Sequence, residues 1–388
     1  MALILIFEFI LALNLSFYLV YGLASNFRYS PKKKPLIIKE PFSFLVVVPA
    51  YKEDEILLET CKHNLKVLKE QNLDFEILVL AQLNTQETIV QLRNWGIQVL
   101  DIHVGEVHSK LIAMKQAVET FDHGNFSAVV VMDVDNRFSN KSLALYNDSL
   151  SRGFKVVQAK RKGYMNNSPL SWQDDMNEAI MHNFYRKGHR VLGLSSSLSG
   201  TGMCFESSIY TDMIRAIPNA AGEDKFMELY LSRNRFKIEF REDNHIYEHK
   251  TDAPKEFVKQ RTRWFTAQYY AFFKHFLPAT SQLIIHGNFG YFEKMFQFGL
   301  IPKGILMLLF GLNLIITPFV GFYWFVLACL LFSLFALSMF MAMPNEYRNL
   351  ETFKHFGSIP GTILLQLKAF ASMSPSKTKK FEVTNKKR

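Results

Sequence analysis

Two aspartates two residues apart, Asp133 and Asp135, follow the apolar run Ala128-Val129-Val130-Val131-Met132. Paired carboxylates just past a buried strand suit Mg2+ or Mn2+ bridging to phosphate oxygens. Such a cation neutralises charge on a departing diphosphate. The pair suits an ordinary strand-end turn equally, since Asp is common there. Glu223 and Asp224 follow Gly222 and open a helical stretch that reaches Ser232. Carboxylates at a helix start complement its dipole. They also suit a general base, which needs a carboxylate within hydrogen-bond reach of a hydroxyl.

Gln260-Arg261-Thr262-Arg263-Trp264 lies on a helical stretch from Lys255 to Lys274. Gln260 and Arg263 share a face, being three apart. Trp264 points roughly 100° away from Arg263 around the helix. A guanidinium offers forked donors to phosphate oxygens, and an indole face stacks on a sugar ring. A basic helix at a membrane surface is the other reading. Lys110 begins the helix after the third strand, where it either meets a phosphate or is a solvated lysine. Gly200-Thr201-Gly202 follows the serine-rich stretch Ser195 to Ser199. Its glycines either let backbone approach a ligand or form a tight turn.

These residues need a scaffold, and the pattern from about residue 42 to 285 is α/β. Four short apolar runs read as strands: Phe44 to Val48, Glu76 to Leu80, Ile97 to Leu100 and Ala128 to Met132. Helical stretches separate them: Glu53 to Glu70, Gln86 to Trp95, and Ser109 to Thr120 with Ser109 as N-cap. Continuous β-branched runs alternating with helices indicate a mostly parallel sheet covered on both faces. Ligands bind beyond the carboxyl ends of such strands, which is where Asp133 and Asp135 stand.

The chain has 388 residues, 49% hydrophobic and 21% charged. That mixture fits a soluble domain joined to apolar spans. Cys61, Cys204 and Cys329 are far apart and without metal-ligand spacing, so no disulfide framework or zinc site is expected. The net charge is +10, and much of the excess flanks apolar segments, in Lys32 to Lys34 and the tail from Lys377 to Arg388. No compact basic-aromatic motif appears elsewhere, so nucleic acid is not expected as a partner.

Ala2 to Ala24 is apolar apart from Glu8, Asn14 and Ser16. It lacks a basic leader and a small-x-small cleavage site, which favours an uncleaved anchor over a signal peptide. Gly304 to Met343 carries no charged residue and is long enough for two spans, with Thr317-Pro318 and Gly321 at the turn. A re-entrant hairpin is the alternative. Three spans would put both basic clusters on one side, the cytoplasmic one. The expected organisation is an anchor over 1–25, a cytoplasmic domain over 42–285, an interfacial helix with two transmembrane helices over 286–344, and an amphipathic segment with a basic tail over 345–388.

Taken in order, the segments Val46 to Glu55, Ser109 to Val118, Val129 to Asn136, Gly200 to Gly202, Gly222 to Asp224 and Gln260 to Trp264 resemble the inverting family 2 glycosyltransferases. The resemblance is strongest to the membrane-bound branch with cellulose, chitin and hyaluronan synthases, whose QxxRW signature Gln260, Arg263 and Trp264 match. Phe381 to Thr384 weakly matches an aromatic-x-x-Thr element of many members. The resemblance implies a Rossmann-like GT-A domain and a nucleotide-sugar donor, usually a UDP-sugar. It implies that Pro49, Ala50, Tyr51, Glu53, Gln82 and Lys110 bind the nucleotide. Asp133 and Asp135 would bind its diphosphate and an Mg2+ or Mn2+ ion. Asp224 would be the base, supported by Glu223. Gln260, Arg263 and Trp264, with Gly200, Thr201 and Gly202, would hold the diphosphate and acceptor end. Two positions depart: Gln82 stands where many members carry an acid, and Gly222 replaces the usual Thr of TED.

The expected reaction is single displacement onto a growing polysaccharide at the cell membrane (inner or plasma). Three spans are few for a secretion channel, so export would call for a partner or a homo-oligomer. A lipid acceptor is the second enzyme reading, with the segment from Gly361 to Met373 lying along the membrane surface. A non-catalytic nucleotide-binding scaffold is the third, resting on Gln82 alone.

Overall fold

The computed structural model describes residues 1–29, 40–102, 109–121, 124–164 and 168–374. The basic clusters Lys32 to Lys34 and Lys377 to Arg388, and the Phe381-to-Thr384 element, lie outside them. The first half of the chain forms α1 (Ala2–Ala24), β1 (Phe44–Tyr51), α2 (Asp54–Lys69), β2 (Phe75–Gln82), α3 (Gln86–Asn94), β3 (Gln98–Asp101), α4 (Lys110–Thr120) and β4 (Ala128–Val131). Next come β5 (Arg137–Phe138), α5 (Ser142–Ser151), β6 (Val156–Gly163) and α6 (Pro169–His182), which runs through a π-helical turn, Asn183–Gly188, into α7 (His189–Val191). β7 (Met203–Glu206), α8 (Ser207–Ala216), α9 (Glu223–Arg233), β8 (Ile238–Glu248) and α10 (Pro254–His286) complete the α/β part. The chain continues through α11 (Phe289–Gly299), α12 (Lys303–Ile316), α13 (Phe322–Ala342), α14 (Leu350–Phe356) and α15 (Ile359–Ala371).

One sheet runs in the order β3-β2-β1-β4-β7-β6-β8-β5. β1 pairs in parallel with β2 and β4, β2 with β3, and β6 with β8. β4–β7, β6–β7 and β5–β8 are antiparallel. The fold is GT-A-like α/β with a mostly parallel sheet. Its central strands are apolar throughout because both faces are buried. Leu45 and Val47 join one core with Met114 and Met227, while Val46 and Val48 join another with Leu57 and Leu143.

All four strands expected from sequence are present. The second half of the sheet was not legible, because β6 and β8 are rich in charge: Lys160, Arg161 and Lys162 on one, Glu239, Arg241 and Glu242 on the other. Ser109 caps α4 as expected, its hydroxyl accepting from the Ile112 amide at 3.1 Å. α10 runs well past Lys274, through Pro278, to a left-handed Gly287.

α1 and α13 are long and apolar enough to cross a membrane. α11 and α12, bent by 64° and extended by a short 3-10 turn to Phe319, count as a third candidate if the pair is one span. The chain turns at Thr317–Phe319 and Gly321, where the sequence placed a turn. α1 packs close to the π-helical turn because Gly188 has no side chain; a Cβ there would stand 2.4 Å from the Tyr21 carbonyl oxygen.

α11 fastens these helices to α9. The Lys294 ammonium, wholly buried, lies 3.1 Å from the wholly buried Glu228 carboxylate. Glu228 also accepts from the Leu198 amide at 3.1 Å. Removing one partner of a buried pair leaves an uncompensated charge. Lys294→Met should therefore lower stability by about 3–5 kcal/mol. Thermal unfolding of the detergent-solubilised chain checks this, and an unchanged midpoint would refute the assignment.

Candidate active site

Helix and strand ends converge on a cavity of about 380 Å3. The carboxyl end of β1 supplies Pro49, Ala50 and Tyr51, with Glu53 just beyond, and that of β2 supplies Gln82. In the sheet register Tyr51 stands beside Gln82. The loop after β4 brings Asp133 and Asp135, the start of α4 brings Lys110, and the start of α9 brings Glu223 and Asp224. α10 adds Gln260, Arg263 and Trp264. The 100° between Arg263 and Trp264 does not separate them, because the cavity wraps around that part of the helix. Gly200 also lines it.

Thr201 and Gly202 do not line the cavity. Thr201 is fully buried behind Asp133, its hydroxyl accepting from the Asp133 amide at 3.0 Å. The Gly202 carbonyl accepts from the Tyr146 hydroxyl at 2.9 Å. Thr201 braces the aspartate loop, whereas Gly202 packs between β6 and α5.

Electrostatics centre on Lys110. Its ammonium donates to Asp133 Oδ1 at 2.6 Å and to the Gly200 carbonyl at 2.5 Å, and lies 3.4 Å from Glu223 Oε1. Burial alone would lower its pKa, but Asp133 and Glu223 outweigh burial and keep it charged. Asp224 lies 3.1 Å from the Lys225 ammonium. Burial favours its neutral form, yet Lys225, with help from Lys110, holds the carboxyl below the usual range. Asp224 is thus an ionised carboxylate at neutral pH, ready to accept a proton.

Asp133 and Asp135 fit a divalent cation that takes its remaining ligands from substrate phosphate and water, as Mg2+ and Mn2+ do. No group of three or more His, Cys, Asp or Glu side chains forms a closed metal cage among the described residues. Gln82 is only 2% exposed; its Nε2 reaches the Ser109 carbonyl at 3.5 Å, while its Oε1 has no partner. An orphaned acceptor facing a cavity calls for a ligand N–H.

Several cavity residues were not anticipated. Arg161 forks onto Glu248, with contacts of 3.0, 2.8 and 2.6 Å. Glu178 faces Arg161 and Arg186 at 3.9 and 3.4 Å. Arg261 is paired with Asp174 and lies 4.2 Å from the Trp264 ring centre. These partners are far apart in sequence, so no local motif announces them. Consecutive acids inside α6, Asp174, Asp175 and Glu178, were the one available signal.

The chain matches the family described as glycosyltransferase like family 2 over residues 41–267. It belongs to that family. Among solved structures it is similar to the mannosyltransferase PcManGT from Pyrobaculum calidifontis, in complex with GDP-Man and Mn2+. The TM-score is 0.52 at 15% identity, covering 86% of this chain and 99% of that one. Two further matches are TarS 1-349 of S. aureus, with TM-score 0.40, 12% identity and coverage of 85% and 92%, and mannosyl-3-phosphoglycerate synthase of Rubrobacter xylanophilus, with TM-score 0.40, 16% identity and coverage of 57% and 71%. The likeness to PcManGT is one of fold. No curated protein matches the sequence.

Gly222 has a steric account. It precedes α9 at φ +78°, and a Cβ there would stand 2.4 Å from the Ala267 Cβ on α10. A β-branched residue would meet both the left-handed backbone cost and the clash. Gly222→Thr should therefore lower stability by about 2–4 kcal/mol, with nucleotide-sugar turnover falling as α9 is displaced. A variant as stable and active as the parent would show that α9 does not sit against α10 in this way.

Proposed function

We propose that this glycosyltransferase moves a sugar from a nucleotide-sugar, a UDP-sugar by resemblance, to an acceptor at the membrane surface, with inversion. One observation carries the reading: a single cavity holds the carboxylate pair Asp133 and Asp135, an ionised Asp224, and the cations Lys110 and Arg263.

Tyr51 and Gln82 flank the nucleoside, with Gln82 Oε1 accepting from a base N–H. Asp133 and Asp135 would hold the divalent cation, which supplies charge neutralisation to the diphosphate when bound. The Mn2+ beside GDP-Man in PcManGT supports that assignment. Asp224 takes the proton of the acceptor hydroxyl as that oxygen bonds to the anomeric carbon. The bond from that carbon to the diphosphate oxygen breaks, and its electron pair leaves with the nucleoside diphosphate. Lys110 and Arg263 face the charge that develops there. Glu223 keeps Lys110 in place. The α/β part, about 42–285, would stand on the cytoplasmic side, with α1, α12 and α13 in the membrane and α11 at its interface.

The acceptor has two readings. Trp264 at the QxxRW position supports a growing polysaccharide. The cavity itself favours a lipid, because its far wall comes from Tyr18 on α1 and from Leu300 and Ile301 before α12.

Three outcomes test the reading. Asp224→Asn should bind donor with near-parental affinity while transfer falls by about a thousandfold or more; full activity would sink the base assignment. Asp135→Ala or a chelator should abolish nucleoside diphosphate release. Because Lys225 holds the Asp224 carboxyl below the usual range, the rate should show no acid limb from Asp224 near neutral pH, and Lys225→Met should move that limb to higher pH.

A further inference from the structure

At the α12 end of the cavity stands a lysine that no carboxylate pairs among the described residues. Lys303, on the first turn of α12, lines the cavity, and its ammonium stands 5.7 Å over the Phe184 ring. No ion pair or hydrogen bond holds that ammonium among the described residues. The Glu178 carboxylate, which lines the same cavity, is already shared by Arg161 and Arg186.

A second cation stands within its field. Arg261 lines the same cavity. Arg261 is 7% exposed, and its outer nitrogen is spent on Asp174. Its Nε–H is buried with no partner. An unsatisfied buried guanidinium N–H beside an unpaired ammonium is a demand for an anion.

The surroundings say what kind of molecule brings it. Tyr18, Phe265, Leu300 and Ile301 supply apolar surface from α1, α10 and the start of α12, and Gln366 of α15 closes the group. A neutral sugar chain offers no anion, and no sugar chain, charged or neutral, offers much apolar area to this wall. An amphiphile whose phosphate sits between its tail and its hydroxyls satisfies both.

We propose that the acceptor is a membrane lipid with a phosphate beside its attacking hydroxyl, and that Arg261 and Lys303 hold that phosphate. This rests on the transferase reading above. The phosphate fixes the headgroup, the tail lies along the membrane helices, and the hydroxyl reaches toward Asp224.

The experiment uses the full chain in detergent, with phosphatidylglycerol and diacylglycerol of equal chain length as probes. Native mass spectrometry reads lipid retention. Radiolabelled donor reads transfer into the organic extract, and donor affinity is measured separately. Phosphatidylglycerol should be retained in preference and should accept label. Lys303→Gln should raise its KM about tenfold with kcat and donor affinity little changed, and Lys303→Arg should restore it. Equal retention of both lipids, or a preference indifferent to Lys303→Gln, overturns the proposal. So does label passing only into water-soluble polymer. If Lys303→Gln weakens donor binding instead, the anion is the donor's own diphosphate and the proposal falls. Lysine-dependent lipid retention without binding of any nucleotide-sugar would leave the lipid site standing and remove the transferase reading.

Discussion

The ammonium of Lys110 is the contact on which the site depends. Asp133, Asp135, Glu223 and Asp224 crowd one cavity, and like charges at such range disfavour ionisation. Lys110 answers Asp133 and Glu223 from the start of α4, and Lys225 answers Asp224 from within α9. The first of these contacts ties the loop after β4 to the start of α9. A diphosphate and a divalent cation arriving together bring charges that largely cancel. The lysine pairing therefore need not break for the donor to bind, and the carboxylate geometry is preorganised in the sense that catalysis requires.

α10 fixes the opposite wall. Its first half buries Phe257, Arg261, Thr266 and Ala267, while Phe273, Leu277 and Ile284 of its second half stay exposed. The close approach of Ala267 to Gly222 sets where α9 begins, and so where Asp224 points. Arg261 does double duty: paired with Asp174, it also lies against Trp264 and limits the tilt of the indole. The QRTRW segment thus clamps this wall and lines the cavity at once. That is why its residues project to several sides of the helix and still share one cavity.

Legibility in the sequence followed the local physics. β1 to β4 and their helices were readable because each is apolar, short and bounded by clear turn or cap residues. That Asp133, Asp135 and Asp224 would meet at one cavity was readable because they sit at element ends. The charged strands β6 and β8 were not, since their burial depends on partners elsewhere, such as Arg161 with Glu248. Thr201 and Gly202 illustrate a different limit. A glycine-rich turn beside a site has the same appearance whether it touches the ligand or braces a residue that does. The departure at Gly222 was visible in the sequence but its cause was not, because that cause is the closeness of Ala267 on α10.

The remaining constraint runs between cavity and membrane. Glu293 and Lys294 are neighbours on α11 and so face different sides of that helix. Glu293 accepts from the Tyr21 hydroxyl at 3.1 Å on α1 and lies 2.7 Å from His189 Nε2, whose ring stacks on Tyr21. Lys294 turns instead to Glu228 on α9 and to Ser197. One short helix therefore couples the apolar α1 to the helix that carries Asp224, through buried polar contacts on both sides. A carboxylate that must meet a hydroxyl within hydrogen-bond reach tolerates little drift. If Asp224 is the base and the acceptor comes from the membrane, that carboxylate must be registered against the helices around it, and α11 supplies that register.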